Sequence, residues 1–309
     1  MSDVAQLIED YLRLRRSLGF KLKRSGLLLA QFHQYLQQQN ITAITVEVMV
    51  DWAVLPGGNR QWHADRLGIL RSFARWAHVF DSTIEVPPAG LLPARGERLV
   101  AFVYSPEEIT ALMAAASEIR TPLVAATYRT LIGLLAATGL RVGEAIRADR
   151  RDLTEAVLTV ADTKFGKTRL VPLHPSTVAA LEDYARLRDE ILGQVPTDAL
   201  FVSSAGTRLI YKNVAFVFHR LVGKARILPR SSRCRPRLHD LRHTFAVSTM
   251  LDAYRHDRNP AEVLPILSTY LGHASPGSTY WYLQADPHLL AAAAERRGNW
   301  AARATVVAR

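Results

Sequence analysis

Between residues 86 and 98 the chain reads VPPAGLLPARGER, with three prolines, two glycines and no hydrophobic period. Proline fixes φ and removes a backbone donor, and glycine weakens regular elements, so neither a helix nor a central strand can run through this stretch. Apolar residues recur at helical spacing on both sides of it. The chain therefore reads as two bodies: a helical one over 1–86, a linker over 87–103, and a larger one over 104–290. A C-terminal helix and tail cover 287–309. A total of 309 residues is enough for two separate cores.

In the first body, Val4, Leu7, Ile8, Tyr11, Leu12 and Leu14 mark one helix, and 27–36 a second. Thr45 caps a third over Val46–Val54, closed by Pro56-Gly57-Gly58, and a fourth runs from Asp65 to Phe80. The second body opens on Ser105-Pro106-Glu107-Glu108, a capping-box helix start. A helix over Pro122–Thr138 stops at Gly139, and a short one begins at Arg141 or Val142. Runs 156–161 and 168–173, joined by a polar segment with Gly166, read as a β-hairpin. Helices follow at 176–192, 212–225, 239–254, 260–270 and 279–283, with an alanine-rich one over Pro287–Arg297. The fold class is mainly α with a small antiparallel β-sheet.

Composition narrows the partners. Thirty-nine Lys and Arg against 28 acids give +11 and a pI near 10.1, which suits a polyanion such as nucleic acid. The density peaks between 220 and 242, where Arg220, Lys224, Arg226, Arg230, Arg233, Arg235, Arg237 and Arg242 face only Asp240. Of these, Arg220, Lys224, Arg226, Arg233, Arg235 and Arg237 are candidate DNA-backbone contacts. Charge alone does not separate an enzyme from a binder. Mean hydropathy of +0.01 excludes wholesale disorder, and no apolar run approaches the ~20 residues that span a bilayer. The N-terminus reads as an amphipathic helix without a signal-peptide core. The single cysteine, Cys234, excludes an internal disulfide. The expected location is the bacterial cytoplasm, associated with the nucleoid.

Several polar residues sit on otherwise apolar segments: Arg141 and Glu144 after LLAATGL, Lys164 in the hairpin, His239 and Arg242 in LHDLRH, His273 after YLG, and Tyr282 in STYWYL. Each alone has a bland explanation, as a solvated charge, a cap or a core tyrosine. In combination, ATGLRVGE, TKFGKTRLVPL, HDLRH and LGHASPGSTYWY closely resemble, in order, the four signature segments of tyrosine recombinases, the phage-integrase family.

That resemblance implies a two-domain architecture closing as a C-shaped DNA clamp: a helical, SAM-like core-binding domain followed by a mixed α/β catalytic domain. It implies a site-specific recombinase or integrase with Arg141, Lys164, His239, Arg242, His273 and Tyr282 as catalytic residues, and Glu144 buttressing the arginine. Two guanidiniums suit the non-bridging oxygens of a five-coordinate phosphate, histidines can donate or move protons, and a phenol can attack phosphorus. Lys164 would protonate the leaving 5′-oxygen. The product would be a 3′-phosphotyrosyl bond, formed with neither metal nor cofactor. Tyr282 stands nine residues beyond His273, and Tyr280, about 200° away on a helix, is its rival. Lys167 and Arg169 are the rivals of Lys164 and are expected instead on the DNA backbone.

The same resemblance implies double-stranded DNA with a specific site as partner, a homotetramer on paired sites, and accessory DNA-bending proteins, with no membrane. The segment between Arg242 and His273 is longer than in chromosome-dimer resolvases and looks more like mobile-element integrases. No arm-binding domain of the large phage-integrase kind is expected. The C-terminal helix is a candidate for docking in trans on a neighbour, with folding back in cis as its alternative. Three other readings stay open at this level: a non-catalytic DNA-binding protein on the same fold, a type IB topoisomerase-like nicking-closing enzyme, and a basic RNA-binding module.

Overall fold

The computed structural model describes residues 3–93, 99–161, 168–193, 197–273, 277 and 289–296. It divides into two compact units, residues 1–98 and 99–309. Among the described residues, no helix is long and apolar enough to cross a membrane.

The first unit is built from α1 (Val4–Ser17), α2 (Lys23–Gln38), α3 (Val46–Val54) and α4 (Arg60–Ala77). Three of the four starts are fixed by short polar caps. Asp3, Thr45 and Asn59 accept from the amides of Ala5, Val48 and Trp62, each satisfying a donor the helix leaves open. The Asn59 cap explains why α4 begins five residues earlier than its apolar pattern suggests. The helix ends at Ala77, where the following His78 turns its Nδ1 to the Ile84 carbonyl. Phe32, Met49, Leu67, Leu70 and Phe73 fill the core. Arg71 bonds the Pro87 carbonyl and Leu92 packs on this core, so the start of the proline-rich stretch is held to the first unit.

In the second unit, Phe102 enters the core at once and Ser105 and Glu108 close a capping box on α5 (Pro106–Ser117). Then come α6 (Pro122–Thr138), α7 (Val142–Arg147), a 3₁₀ turn at 150–152, and strands β1 (Leu153–Thr154), β2 (Val157–Val160) and β3 (Arg169–Pro172). The three strands form an antiparallel sheet in order β1-β2-β3, with Leu158 opposite Val171 and Val160 opposite Arg169. The two-residue β1 carries too little pattern to be read from sequence. Helices α8 (Pro175–Leu192), α9 (Tyr211–Lys224), α10 (Asp240–Arg255) and α11 (Pro260–Leu271) complete the unit. Side chains alternate along β3: Leu170 is 63 % exposed and Val171 is 1 % exposed, which sends Arg169 to the inner face with Val171. Residues 289–296 are helical, with Leu289 packed on the α10–α11 cluster. The connection 162–167 and the helix expected at 279–283 lie outside the described residues.

Candidate active site

The site begins where α6 stops. Gly139 adopts φ +61°, which an L residue rarely accepts, and a Cβ there would stand 2.6 Å from Phe245 Cδ1 and 3.0 Å from Leu271 Cδ2. Glycine therefore lets the end of α6 lie directly against α10 and α11. Two residues on, Arg141 leads into α7. Its amide donates to Glu144 Oε2 at 2.9 Å, its Nη1 to Glu144 Oε1 at 2.8 Å, and its Nη2 reaches the Gly272 carbonyl at 3.4 Å. The Arg141 side chain stays about one-third exposed while Glu144 is buried beneath it.

Arg242 lies on α10, one turn after His239, and is 1 % exposed. It donates from Nη1 to the Gly139 carbonyl at 2.7 Å, and from Nη2 to the Leu271 carbonyl at 2.6 Å and to His273 Nε2 at 2.9 Å. A guanidinium can only donate, so Nε2 of His273 accepts and its proton sits on Nδ1. Burial first, then the charges of Arg242 and Arg141, pull the His273 pKa down to about 4. His239 is also lowered, by desolvation and by Arg242. Its ring meets His243 edge-on at 5.5 Å between centroids. His243, buried one position after Arg242, is lowered to about 3 by burial and by the neighbouring His239 and arginines. The imidazoles are therefore neutral at pH 7, able both to donate and to accept.

A third strut comes from β3. Arg169 donates from Nη1 and Nη2 to the two oxygens of Glu144, at 3.1 and 2.7 Å, and from Nε to the Tyr270 carbonyl at 2.9 Å. Burial works to raise the Glu144 pKa, but the bonds from Arg169 and Arg141 outweigh it and hold the carboxyl at about 2. Gly272, at φ +69°, caps α11 and leaves room for the Arg169 side chain; a Cβ would lie 2.9 Å from Arg169 Nη1.

Arg141, His239, Arg242 and His273 thus gather around the junction of α6, α10 and α11, with Glu144 beneath. Lys164, Lys167, Tyr280 and Tyr282 lie outside the described residues. Arg169 differs from its expected place on the DNA backbone: the β3 alternation turns it inward onto Glu144. In the basic stretch, Arg220, Lys224, Arg226, Arg233 and Arg235 are exposed. Lys224 pairs with Glu118 at 2.9 Å, and Arg235 Nε bonds the Ser232 carbonyl. Arg237 is committed locally, with Nε and Nη2 on the two oxygens of Asp240 at 2.9 and 2.8 Å. Asp240 and His243 were not singled out from sequence. Their significance comes from complete burial, which nothing in HDLRH announces.

Residues 103–288 match the Phage integrase family. A protein of Sinorhizobium fredii (strain NBRC 101917 / NGR234) named as an integrase/recombinase, y4rB, is 40% identical over 305 residues, covering 96% of this chain and 97% of its own. Tyrosine recombinase XerD of Ralstonia nicotianae is 31% identical over 221 residues, 70% of this chain and 67% of its own. Among solved structures, the Tn1549 transposon integrase in complex with a circular intermediate DNA aligns with a TM-score of 0.65 at 19% identity, over 96% of this chain and all of that one. The XerH recombinase bound to a palindromic difH substrate aligns with a TM-score of 0.61 at 23% identity, over 95% and 84%. The helical fold with its small sheet is that of the tyrosine recombinases. The chain belongs to the phage integrase family, whose enzymes are tyrosine-type site-specific recombinases.

Proposed function

We propose that this protein cuts and rejoins DNA at a specific site through a covalent 3′-phosphotyrosyl intermediate, in the service of a mobile element. The observation that carries this is the convergence of Arg141, Arg242 and His273 on one junction, with Arg242 bonded to His273 at 2.9 Å. Attack on a phosphodiester concentrates negative charge on the non-bridging oxygens. Preorganised guanidinium and imidazole donors stabilise that charge without reorganising during the reaction. The Tyr282 oxygen forms the new bond to phosphorus as the bond to the 5′-oxygen breaks. The phenolic proton leaves to a neighbouring base, for which neutral His239 is suited, and Lys164 supplies the proton for the departing 5′-oxygen. A 5′-hydroxyl from a second duplex then reverses the step, so the phosphodiester energy is conserved.

The chemistry is one of strand exchange, and a tetramer on two paired sites is the assembly it calls for. One solved relative is a lambda integrase tetramer bound to a Holliday junction. Residues 1–86 act as the core-binding domain and 104–290 as the catalytic domain, with Arg220, Lys224, Arg226, Arg233 and Arg235 on phosphates. The likeness to y4rB over nearly the whole chain supports an integrase or recombinase, and the mobile-element role is in keeping with a fold shared with a transposon integrase.

The test is a nicked suicide substrate carrying the element's own end. The wild-type protein should be trapped on DNA, with the adduct on the peptide containing Tyr282. Tyr282→Phe should bind the site and form no adduct. An adduct surviving in Tyr282→Phe moves the nucleophile to Tyr280, and no adduct with wild type removes the reading. Strand joining between two duplexes marks a recombinase, whereas relaxation of supercoils alone marks a topoisomerase.

A further inference from the structure

We infer that Arg169 is a positioning residue of the recombination site, a bolt between Glu144 and the end of α11 that sets Arg141 and His273 in one frame. The inference rests on the functional reading above and extends it to a residue that touches no reacting atom. Three observations carry it. First, the register of β3 opposite β2 turns Arg169 to the buried face, away from exposed Leu170. Second, its guanidinium is fully engaged in direction: two nitrogens take both oxygens of Glu144 and the third takes the Tyr270 carbonyl. Third, Gly272 leaves its Cβ space to this side chain, and the next residue is His273.

The bonds define a chain of constraint. Glu144 holds the amide and Nη1 of Arg141, so fixing Glu144 from below fixes the direction of the Arg141 fork. Tyr270 lies three residues before His273, so the same guanidinium also anchors the turn that presents that histidine. Lysine could not replace it, because a single ammonium cannot span two carboxylate oxygens and a carbonyl in one plane.

The test separates this role from a phosphate contact. Arg169→Met, Arg169→Lys and the pair Arg169→Met/Glu144→Gln are compared with wild type in site binding over a salt series and in single-turnover cleavage of the suicide substrate. Loss of a phosphate contact would flatten the salt slope by about one unit. Positioning predicts an unchanged slope and dissociation constant, with cleavage slowed on the order of 100-fold in Arg169→Met. Arg169→Lys should recover only part of that rate. The double variant removes a buried carboxylate that would keep only its bonds from Arg141, so it should melt above Arg169→Met yet cleave no faster. If Arg169→Met does not fold, the lysine and double variants carry the comparison. Cleavage within threefold of wild type, or a cleavage loss matched by weaker binding and a flatter slope, overturns the inference. Absence of adduct with wild type would instead count against the functional reading itself.

Discussion

Arg242 donates from Nη2 to His273 Nε2 at 2.9 Å, and the same nitrogen bonds the Leu271 carbonyl at 2.6 Å. One arginine therefore sets both the position of the α11 terminus and the tautomer of the histidine beyond it. Lysine at 242 would keep a charge but lose the fork. Arg242→Lys should slow single-turnover cleavage by at least ~100-fold, an effect of about 3 kcal/mol at the transition state. It should also destabilise the fold, because the Gly139 and Leu271 carbonyls would be left without their donors. A cleavage assay beside urea unfolding checks both, and cleavage near the wild-type rate would remove Arg242 from the chemistry.

The depressed histidines predict acid lability in a defined window. His243 titrates near 3 and His273 near 4 in the folded protein, against 6.5 when unfolded. Between those values the unfolded chain binds more protons, so stability falls as pH drops from 6.5 toward 4. Glu144 acts lower: its carboxyl, held at about 2, contributes stability above 4.5 that is lost only as pH falls from 4.5 toward 2. The free energy of unfolding should decline on the order of 3 kcal/mol between pH 6.5 and 4. His243→Asn, which cannot protonate, should flatten that decline. A level profile across the window would show that these imidazoles are not buried neutral.

Much of this geometry is legible in the residues, for identifiable reasons. Pro122 and Gly139 bound α6 because each enforces a local backbone state that tertiary packing does not override. Ser105 and Glu108 bound α5 in the same way. Arg169 was expected on the DNA backbone; alternation in TRLVPL instead puts it on one face with buried Val171 and Leu173, where it meets Glu144. The burial of Asp240 and His243 was not legible. The segments packed around α10 come from elsewhere in the chain, as Arg242 shows by bonding the carbonyl of Gly139, 103 residues before it, and that of Leu271, 29 residues after it.

Within the basic stretch, neighbouring arginines should behave differently. Arg237 spends its fork on Asp240, whose side chain is 0 % exposed. Arg237→Gln leaves that carboxylate uncompensated and should cost about 2 kcal/mol, reduced from the fully buried case because Arg237 itself is partly exposed. Arg235→Gln should leave stability within about 0.5 kcal/mol and lower the salt slope of DNA binding by about one unit. Unfolding curves and binding across a salt series distinguish them. Equal stability losses would mean that the Arg237–Asp240 pair contributes nothing.

Gly139 offers the sharpest steric prediction. Alanine there pays for positive φ, about 1 kcal/mol or more, and drives its Cβ to 2.6 Å from Phe245, so the ring must move. Phe245 stacks on Tyr270 at 5.5 Å, and the Tyr270 carbonyl receives Arg169, so the displacement passes into the frame holding Glu144. Gly139→Ala should destabilise by roughly 3 kcal/mol and slow cleavage even where the protein remains folded. Gly133→Ala, inside α6, is the control. Its Cβ meets only the flexible end of Met113 at 3.2 Å, and alanine favours the helix, so the change should stay within about 1 kcal/mol with cleavage intact. If Gly139→Ala melts and cleaves like Gly133→Ala, the close approach of α6 to α10 is not what positions the site.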